Sequence, residues 1–279
     1  MANGYTAVVE TAREYYNSRD ADNFYFHIWG GNDIHIGIYG SDQDAIADAS
    51  RRTVEKIAGL LPDLDENSRI LDIGSGYGGA ARYLAGRYGC RVTALNLSET
   101  ENARARNMNR EAGLDHLIEV VDGSFEDIPC DDLSFDVAWS QDAILHSGQR
   151  KRVIKEVSRV LKPGGCFIFT DPMQADDCPP GVLQPVLDRI HLESLGSPAF
   201  YTRACGENGL KLIRFTDCTE QLGRHYRRVH DALVENQDQL KGKVSDEYIR
   251  RMLKGLKHWV EASDKGYLSW GILQFKKVQ

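Results

Sequence analysis

The chain has 279 residues, 42% of them hydrophobic and 27% charged, with a formal net charge of −7. That length buries a full core in one α/β domain with insertions, and an acidic balance provides no positive field to gather nucleic acid or anionic lipid, so neither is expected as a partner. No run of about eighteen apolar residues occurs and the first residues carry no apolar stretch of the export-signal kind, so no membrane partner and a soluble, cytoplasmic protein are expected.

In chain order, the first strong signal is Ile70, Leu71 and Ile73, a short apolar run that passes through Asp72 into Gly74-Ser75-Gly76-Tyr77-Gly78-Gly79. A strand that hands over to a helix through glycines can turn sharply and bring bare backbone against a ligand, and the helix N-terminus offers unpaired N–H groups. The spacing Gly74-x-Gly76-x-x-Gly79 also satisfies the dinucleotide fingerprint, so a nicotinamide dehydrogenase stays open at this point. Residues 80–85 read as helix and 91–95 as a second strand. Ser98 is the expected N-cap of a helix that runs to about Glu111 and stops at Gly113. Strands follow at 117–121 and 135–139. Val153, Ile154, Val157, Val160 and Leu161 mark a helix by their spacing, and Lys162-Pro163-Gly164-Gly165 should break the chain before a strand at 166–170.

Strand and helix thus alternate five times within residues 69–171, which calls for a parallel sheet with helices on both faces. Ligands of such sheets sit outside the carboxyl ends of the strands, where Asp72 to Gly76, Asn96, Asp122 to Phe125, Ser140 to His146 and Asp171 stand. Farther on, a short helical stretch within 172–198, a helix at 199–208 stopped by Gly209, and strands at 211–219 and 267–278 are expected. Between those two strands lies a charged, mostly helical insertion over about 220–265, far longer than the usual connection. The six cysteines, Cys90, Cys130, Cys166, Cys178, Cys205 and Cys218, have neither CxxC spacing nor a Cys/His cluster, which predicts reduced thiols and no metal site.

Asp122, after the third strand, offers a carboxylate to an adenine amino group, with Ser124 and Phe125 as a backbone and aromatic wall. Asn96 stands where an acid would serve a ribose best, and an amide bonds a hydroxyl less strongly. The combination of Leu71 to Gly76, Asp122 and Leu161 to Gly165 resembles the class I S-adenosylmethionine-dependent methyltransferases over about residues 65–172. The resemblance implies S-adenosylmethionine as cofactor, with Gly74 and Gly76 bordering its methionine part, Asn96 its ribose, and Asp122, Ser124 and Phe125 its adenine, and with Leu97 and Gln141 also beside it. It also implies a Rossmann-like class I methyltransferase fold: a mostly parallel sheet with helices on both faces, an N-terminal lid and a helical insertion near the C-terminus.

Two further stretches are similar to sarcosine/dimethylglycine N-methyltransferases, which make glycine betaine. They are Tyr15 to Tyr25 leading to Ile28 to Tyr39, and Ser140-Gln141-Asp142-Ala143-Ile144-Leu145-His146. The second is also similar to phosphoethanolamine methyltransferases, the alternative kept. On this reading residues 1–62 are a helical lid, and residues 63–279 are the methyltransferase domain with a substrate-pocket insertion. A free small amine is the expected partner, and the chain a monomer or weak homo-oligomer.

Methyl transfer to an amine requires a neutral lone pair held behind the methyl carbon. His146 is the candidate to orient or deprotonate the amine, with Asp142, four residues before it and so expected on the same helical face, orienting the amine or the imidazole. Tyr16 is placed with this pair, and Trp29, His35 and Tyr39 offer aromatic faces to a cationic amine. A substrate carboxylate calls for an arginine. Arg51, Arg52, Arg203, Arg224, Arg227 and Arg228 are candidates, and Arg224 leads because His225 and Tyr226 follow it.

Overall fold

The apolar runs pair as strands in the computed structural model, which describes residues 5–61 and 63–278. Residues 1–4, part of the stretch read as lacking an export signal, lie outside the described residues. Ahead of the sheet stand α1 (Ala7–Asn17), α2 (Arg19–Ile28) and α3 (Ile46–Ala58); Thr6 caps α1, and Ser18 caps α2 by accepting from the Ala21 N–H. The core unit is β1 (Arg69–Ile73), α4 (Gly79–Tyr88), β2 (Arg91–Asn96), α5 (Glu99–Glu111), β3 (Ile118–Asp122), β4 (Phe135–Gln141), α6 (Arg150–Val160) and β5 (Leu161–Thr170). After it come β6 (Met173–Gln174), α7 (Gln184–Ile190), α8 (Pro198–Glu207), β7 (Leu210–Asp217), α9 (Thr219–Glu235), α10 (Gln237–Leu240), α11 (Asp246–Asp264), β8 (Leu268–Ser269) and β9 (Gly271–Lys277).

The main sheet has the order β3-β2-β1-β4-β5-β9-β7, parallel from β3 to β5, with β9 antiparallel to both its neighbours. This is the expected mostly parallel Rossmann-like architecture. Alternation along β1 sends Ile70 to a core built with α3 and α4, and Leu71 and Ile73 to a core built with α6 and α8. A strand buried on both faces must be apolar at successive positions, which is why β1 stood out in the sequence. A third cluster, from α2, α7, α9 and α11, roofs the carboxyl ends of the strands.

Two expectations about boundaries are corrected. Lys162 to Gly165 does not break the chain ahead of the strand: β5 starts at Leu161, and its register jumps from Phe135↔Leu161 to Val137↔Cys166, so these residues bulge from a continuing strand. The final strand is interrupted at Trp270, because Leu268 and Ser269 pair with β6 in a separate two-stranded sheet.

Candidate active site

β1 has β2 on one side and β4 on the other, and the chain winds outward in both directions from there, so a crevice opens at its carboxyl end. The Gly74 and Ser75 N–H groups donate to the Leu95 carbonyl at 2.8 and 3.2 Å, fixing the turn to β2. Gly74 has φ +73°, and a Cβ there would lie 2.3 Å from the Ala143 Cβ, so no other residue fits. A cavity opens in front of this turn, and Gly74, Gly76, Asn96, Leu97, Ser124, Phe125 and Gln141 all line it. Gln141 accepts from Trp139 Nε1 at 3.0 Å, which leaves its buried amide nitrogen without a protein partner.

Asp122 is the exception among the expected cofactor residues. Its carboxylate is held outside the cavity, accepting from Asn102 Nδ2 at 2.8 Å and from Arg106 at 2.5 Å, both on α5. The acid that faces the cavity beside Asn96 is Glu101, which the sequence reading missed. Asn96 Nδ2 donates to Glu101 Oε2 at 2.9 Å, whereas Oε1 is buried with no partner. Ser98 caps α5 by accepting from the Glu101 N–H at 3.2 Å, so Ser98-Glu99-Thr100-Glu101 has capping-box spacing; the glutamate side chain nevertheless turns inward to Asn96. Burial pushes the Glu101 carboxyl up to about 7. An orphan carboxylate oxygen beside Asn96 suits a pair of ribose hydroxyls, and together with the bare glycine turn it fits S-adenosylmethionine.

This carboxyl is raised, so it is ionised only above about pH 7, and a hydroxyl donor binds its charged form better. Affinity for S-adenosylmethionine should therefore rise roughly tenfold between pH 6 and pH 8. Glu101→Gln should flatten that rise in calorimetry, and parallel slopes for the two proteins would remove Glu101 from the cofactor site.

A second cavity lies beyond the first. Tyr15 and Tyr16 of α1, Tyr25 of α2, Trp29, Tyr226 of α9 and Trp259 of α11 form its aromatic walls. Tyr16 stacks on Tyr25 at 5.7 Å between ring centroids and Tyr226 on Trp259 at 4.8 Å, while Trp29 Nε1 donates to the His35 carbonyl at 3.1 Å. Arg189, at the end of α7, is the one Lys or Arg among the described residues lining this cavity. Its Nη2 lies 3.4 Å from Met252 Sδ, its buried Nε has no partner, and no carboxylate among the described residues pairs with it. Arg189 is half-buried and has no carboxylate partner among these rings, a position that suits an anionic group. Arg189 was overlooked because a short helical stretch among prolines carries no local mark of which way its arginine points.

Tyr16, Ile34, Asp142 and His146 line both cavities and so form the wall where the two meet. His146 Nε2 lies 2.8 Å from the Tyr16 phenol oxygen. Burial lowers His146 to about 4, with Arg150 and Arg189 adding to the shift, and burial raises Tyr16 well above the usual phenol range. The imidazole is therefore neutral and the phenol protonated near pH 7. With the phenol donating to Nε2, its oxygen still has lone pairs for an amine N–H.

Asp142 does not share a helical face with His146. It has φ +52° and precedes a single 3₁₀ turn over Ile144–His146. Its carboxylate accepts from the Ile36 N–H at 2.7 Å and from Trp270 Nε1 at 2.8 Å, so it fastens the N-terminal segment over the site and makes no bond to the imidazole. Burial raises its pKa.

Three expected substrate residues are likewise displaced. Tyr39 and His225 are buried behind Trp29, where the phenol lies 2.8 Å from His225 Nδ1, and neither lines the cavity. Arg224 faces outward to Asp42 at 2.7 Å, because two positions along a helix turn a side chain to the opposite side from Tyr226. The other candidate arginines have partners of their own: Arg51 with Asp33, Arg52 with Asp44, Arg227 with Asp264 and Arg228 with the Asp44 carbonyl; Arg203 is exposed on α8.

A family model described as a methyltransferase domain matches residues 71–169. The chain is 61% identical to the sarcosine/dimethylglycine N-methyltransferase of Halorhodospira halochloris over 96% of each chain. It is 51% identical to that of Aphanothece halophytica over 97% of this chain and 98% of the relative. A crystal structure of a Galdieria sulphuraria protein assigned as a sarcosine dimethylglycine methyltransferase superposes with a TM-score of 0.88 at 42% identity, covering 93% of this chain and 98% of that one. Among the described residues no helix is long and apolar enough to cross a membrane. With the sheet order, the glycine turn and near full-length identity in agreement, the chain belongs to the S-adenosylmethionine-dependent sarcosine/dimethylglycine N-methyltransferases.

Proposed function

We propose that the enzyme transfers methyl groups from S-adenosylmethionine to sarcosine and dimethylglycine, giving dimethylglycine and glycine betaine, as a cytoplasmic monomer or weak homo-oligomer. The observation that carries this reading is an unpaired arginine, Arg189, in an aromatic cavity that shares its wall with the cofactor cavity. S-adenosylmethionine supplies an electrophilic methyl group when bound. Arg189 holds the amino acid by its carboxylate and sets the nitrogen toward that wall. Tyr16, its O–H donated to His146 Nε2, orients the nitrogen by accepting the N–H of the ammonium form; the reactive species is the neutral amine, whose proton is lost to solvent before the lone pair attacks in line. Burial and the Arg189 charge also lower the amine's own pKa, for the same reasons that they lower His146. Tyr15, Tyr25, Trp29, Tyr226 and Trp259 present ring faces to the developing ammonium and keep water out.

A phosphoethanolamine-type substrate is less well served, because a phosphate monoester dianion calls for several cations and this cavity offers one arginine. Dimethylglycine and dimethylethanolamine carry the same amine and differ in the carboxylate, so their ratio tests the reading. A charge-assisted bond of about 1.5–3 kcal/mol corresponds to a preference of roughly one to two orders of magnitude in kcat/KM for dimethylglycine. Equal values for the two amines would overturn carboxylate recognition.

A further inference from the structure

Gly255 is the tenth residue of α11, a helix of 19 residues, where glycine is destabilising relative to alanine and its backbone is not in the left-handed region. Its presence therefore needs a reason in space, and the neighbouring side chain supplies one. A Cβ at position 255 would fall 2.0 Å from Arg189 Cδ, 2.5 Å from Nε and 2.9 Å from Cγ. These are atoms in the middle of the arginine, which cannot move aside while the guanidinium stays in place. The Arg189 side chain thus crosses directly over the α11 backbone at Gly255. Beyond that crossing it reaches Met252 Sδ, at a position one turn back along the same helix, and enters the aromatic cavity. On its outer side Arg189 and Gly255 line a surface groove with His191, Arg251, Lys254 and His258.

We propose that Gly255 is a specificity-determining positioning residue: its missing side chain is the slot through which Arg189 reaches the substrate cavity, and the preference for carboxylate-bearing amines depends on that slot. The inference rests on the reading that Arg189 meets the substrate carboxylate. A methyl group in the slot forces the guanidinium back toward the outer groove, while the Tyr16–His146 wall and the cofactor cavity keep their geometry.

The test is a double-mutant cycle of Gly255→Ala and Arg189→Ala in the full chain, read by kinetics on dimethylglycine and dimethylethanolamine, S-adenosylmethionine affinity and thermal melting. Gly206, in α8 with no atom within 4 Å of a built Cβ, provides Gly206→Ala as a control that should leave KM unchanged. Gly255→Ala should raise KM for dimethylglycine at least tenfold, change kcat less, lower the dimethylglycine to dimethylethanolamine ratio by a similar factor, and leave cofactor affinity alone. In the Arg189→Ala background the same substitution should add nothing, since the slot is then empty. A wild-type KM in Gly255→Ala, or a penalty that persists without Arg189, overturns the inference. If the single variant fails to fold, the double variant should fold; its failure would assign Gly255 to helix packing. An unchanged KM in Arg189→Ala sinks the carboxylate reading itself, whereas a raised KM there with a silent Gly255→Ala sinks the slot alone.

Discussion

Arg189→Ala is expected to raise KM for dimethylglycine by about two to three orders of magnitude, with little change for dimethylethanolamine. Arg189 lines the wild-type cavity together with aromatic rings and has no protein carboxylate beside it, so on the proposed reading the substrate's carboxylate is its counter-ion. Truncating one partner of a buried, hydrogen-bonded charge pair typically costs about 2–5 kcal/mol, much of it from the charge left behind unpaired. In the variant that stranded charge belongs to the substrate, so the loss falls on binding. The folded enzyme itself is relieved of an uncompensated cation, so its melting temperature should hold or rise. Steady-state kinetics on both amines with a thermal melt checks this. An unchanged KM, or a KM that rises only together with a collapse in stability, would remove Arg189 from substrate recognition.

His146→Ala should lower kcat by about two to three orders of magnitude, within the range of positioned acid–base groups, and leave S-adenosylmethionine affinity within about twofold. The imidazole touches the Tyr16 phenol at the wall between the cavities, where the proposed mechanism puts the reacting nitrogen. Its depressed pKa fixes the sign of the pH effect. A histidine held near 4 by burial is already neutral at pH 5, so at saturating S-adenosylmethionine kcat/KM for the amine should show no histidine limb near 6.5. The rate should instead rise with deprotonation of the substrate amine. A limb near 6.5 that disappears in His146→Ala would contradict the burial argument, and wild-type turnover in the variant would leave His146 a purely structural role.

The same physics explains what could be read before the fold was in hand. β1 and its turn were legible because both are local requirements: a strand buried on two faces has to be apolar at successive positions, and the turn at Gly74 takes a left-handed backbone, φ +73°, that favours glycine. Helix α5 was legible to its ends because Ser98 and Gly113 are chemical signals beside the residues they cap. The Lys162 to Gly165 segment misled because proline and glycines mark a bulge and a break alike, and only pairing with β4 tells the two apart.

The sequence by itself determined the fold class, since alternating strands and helices are encoded within short windows of chain, and its resemblance at Leu71 to Gly76, Leu161 to Gly165, Tyr15 to Tyr39 and Ser140 to His146 pointed to the cofactor class and the family. Tertiary structure decided which polar side chains meet. Asp122 looked inward in the sequence yet is held outside by Asn102 and Arg106, while Glu101, inside an ordinary helix start, turns in to Asn96. Arg224 seemed well placed beside His225 and Tyr226, but helical rotation sends it to Asp42, and the arginine in the cavity comes from α7 across a glycine of α11. Local propensity acts over one helical turn, whereas Arg189 and Gly255 are brought together only by the packing of α7 against α11.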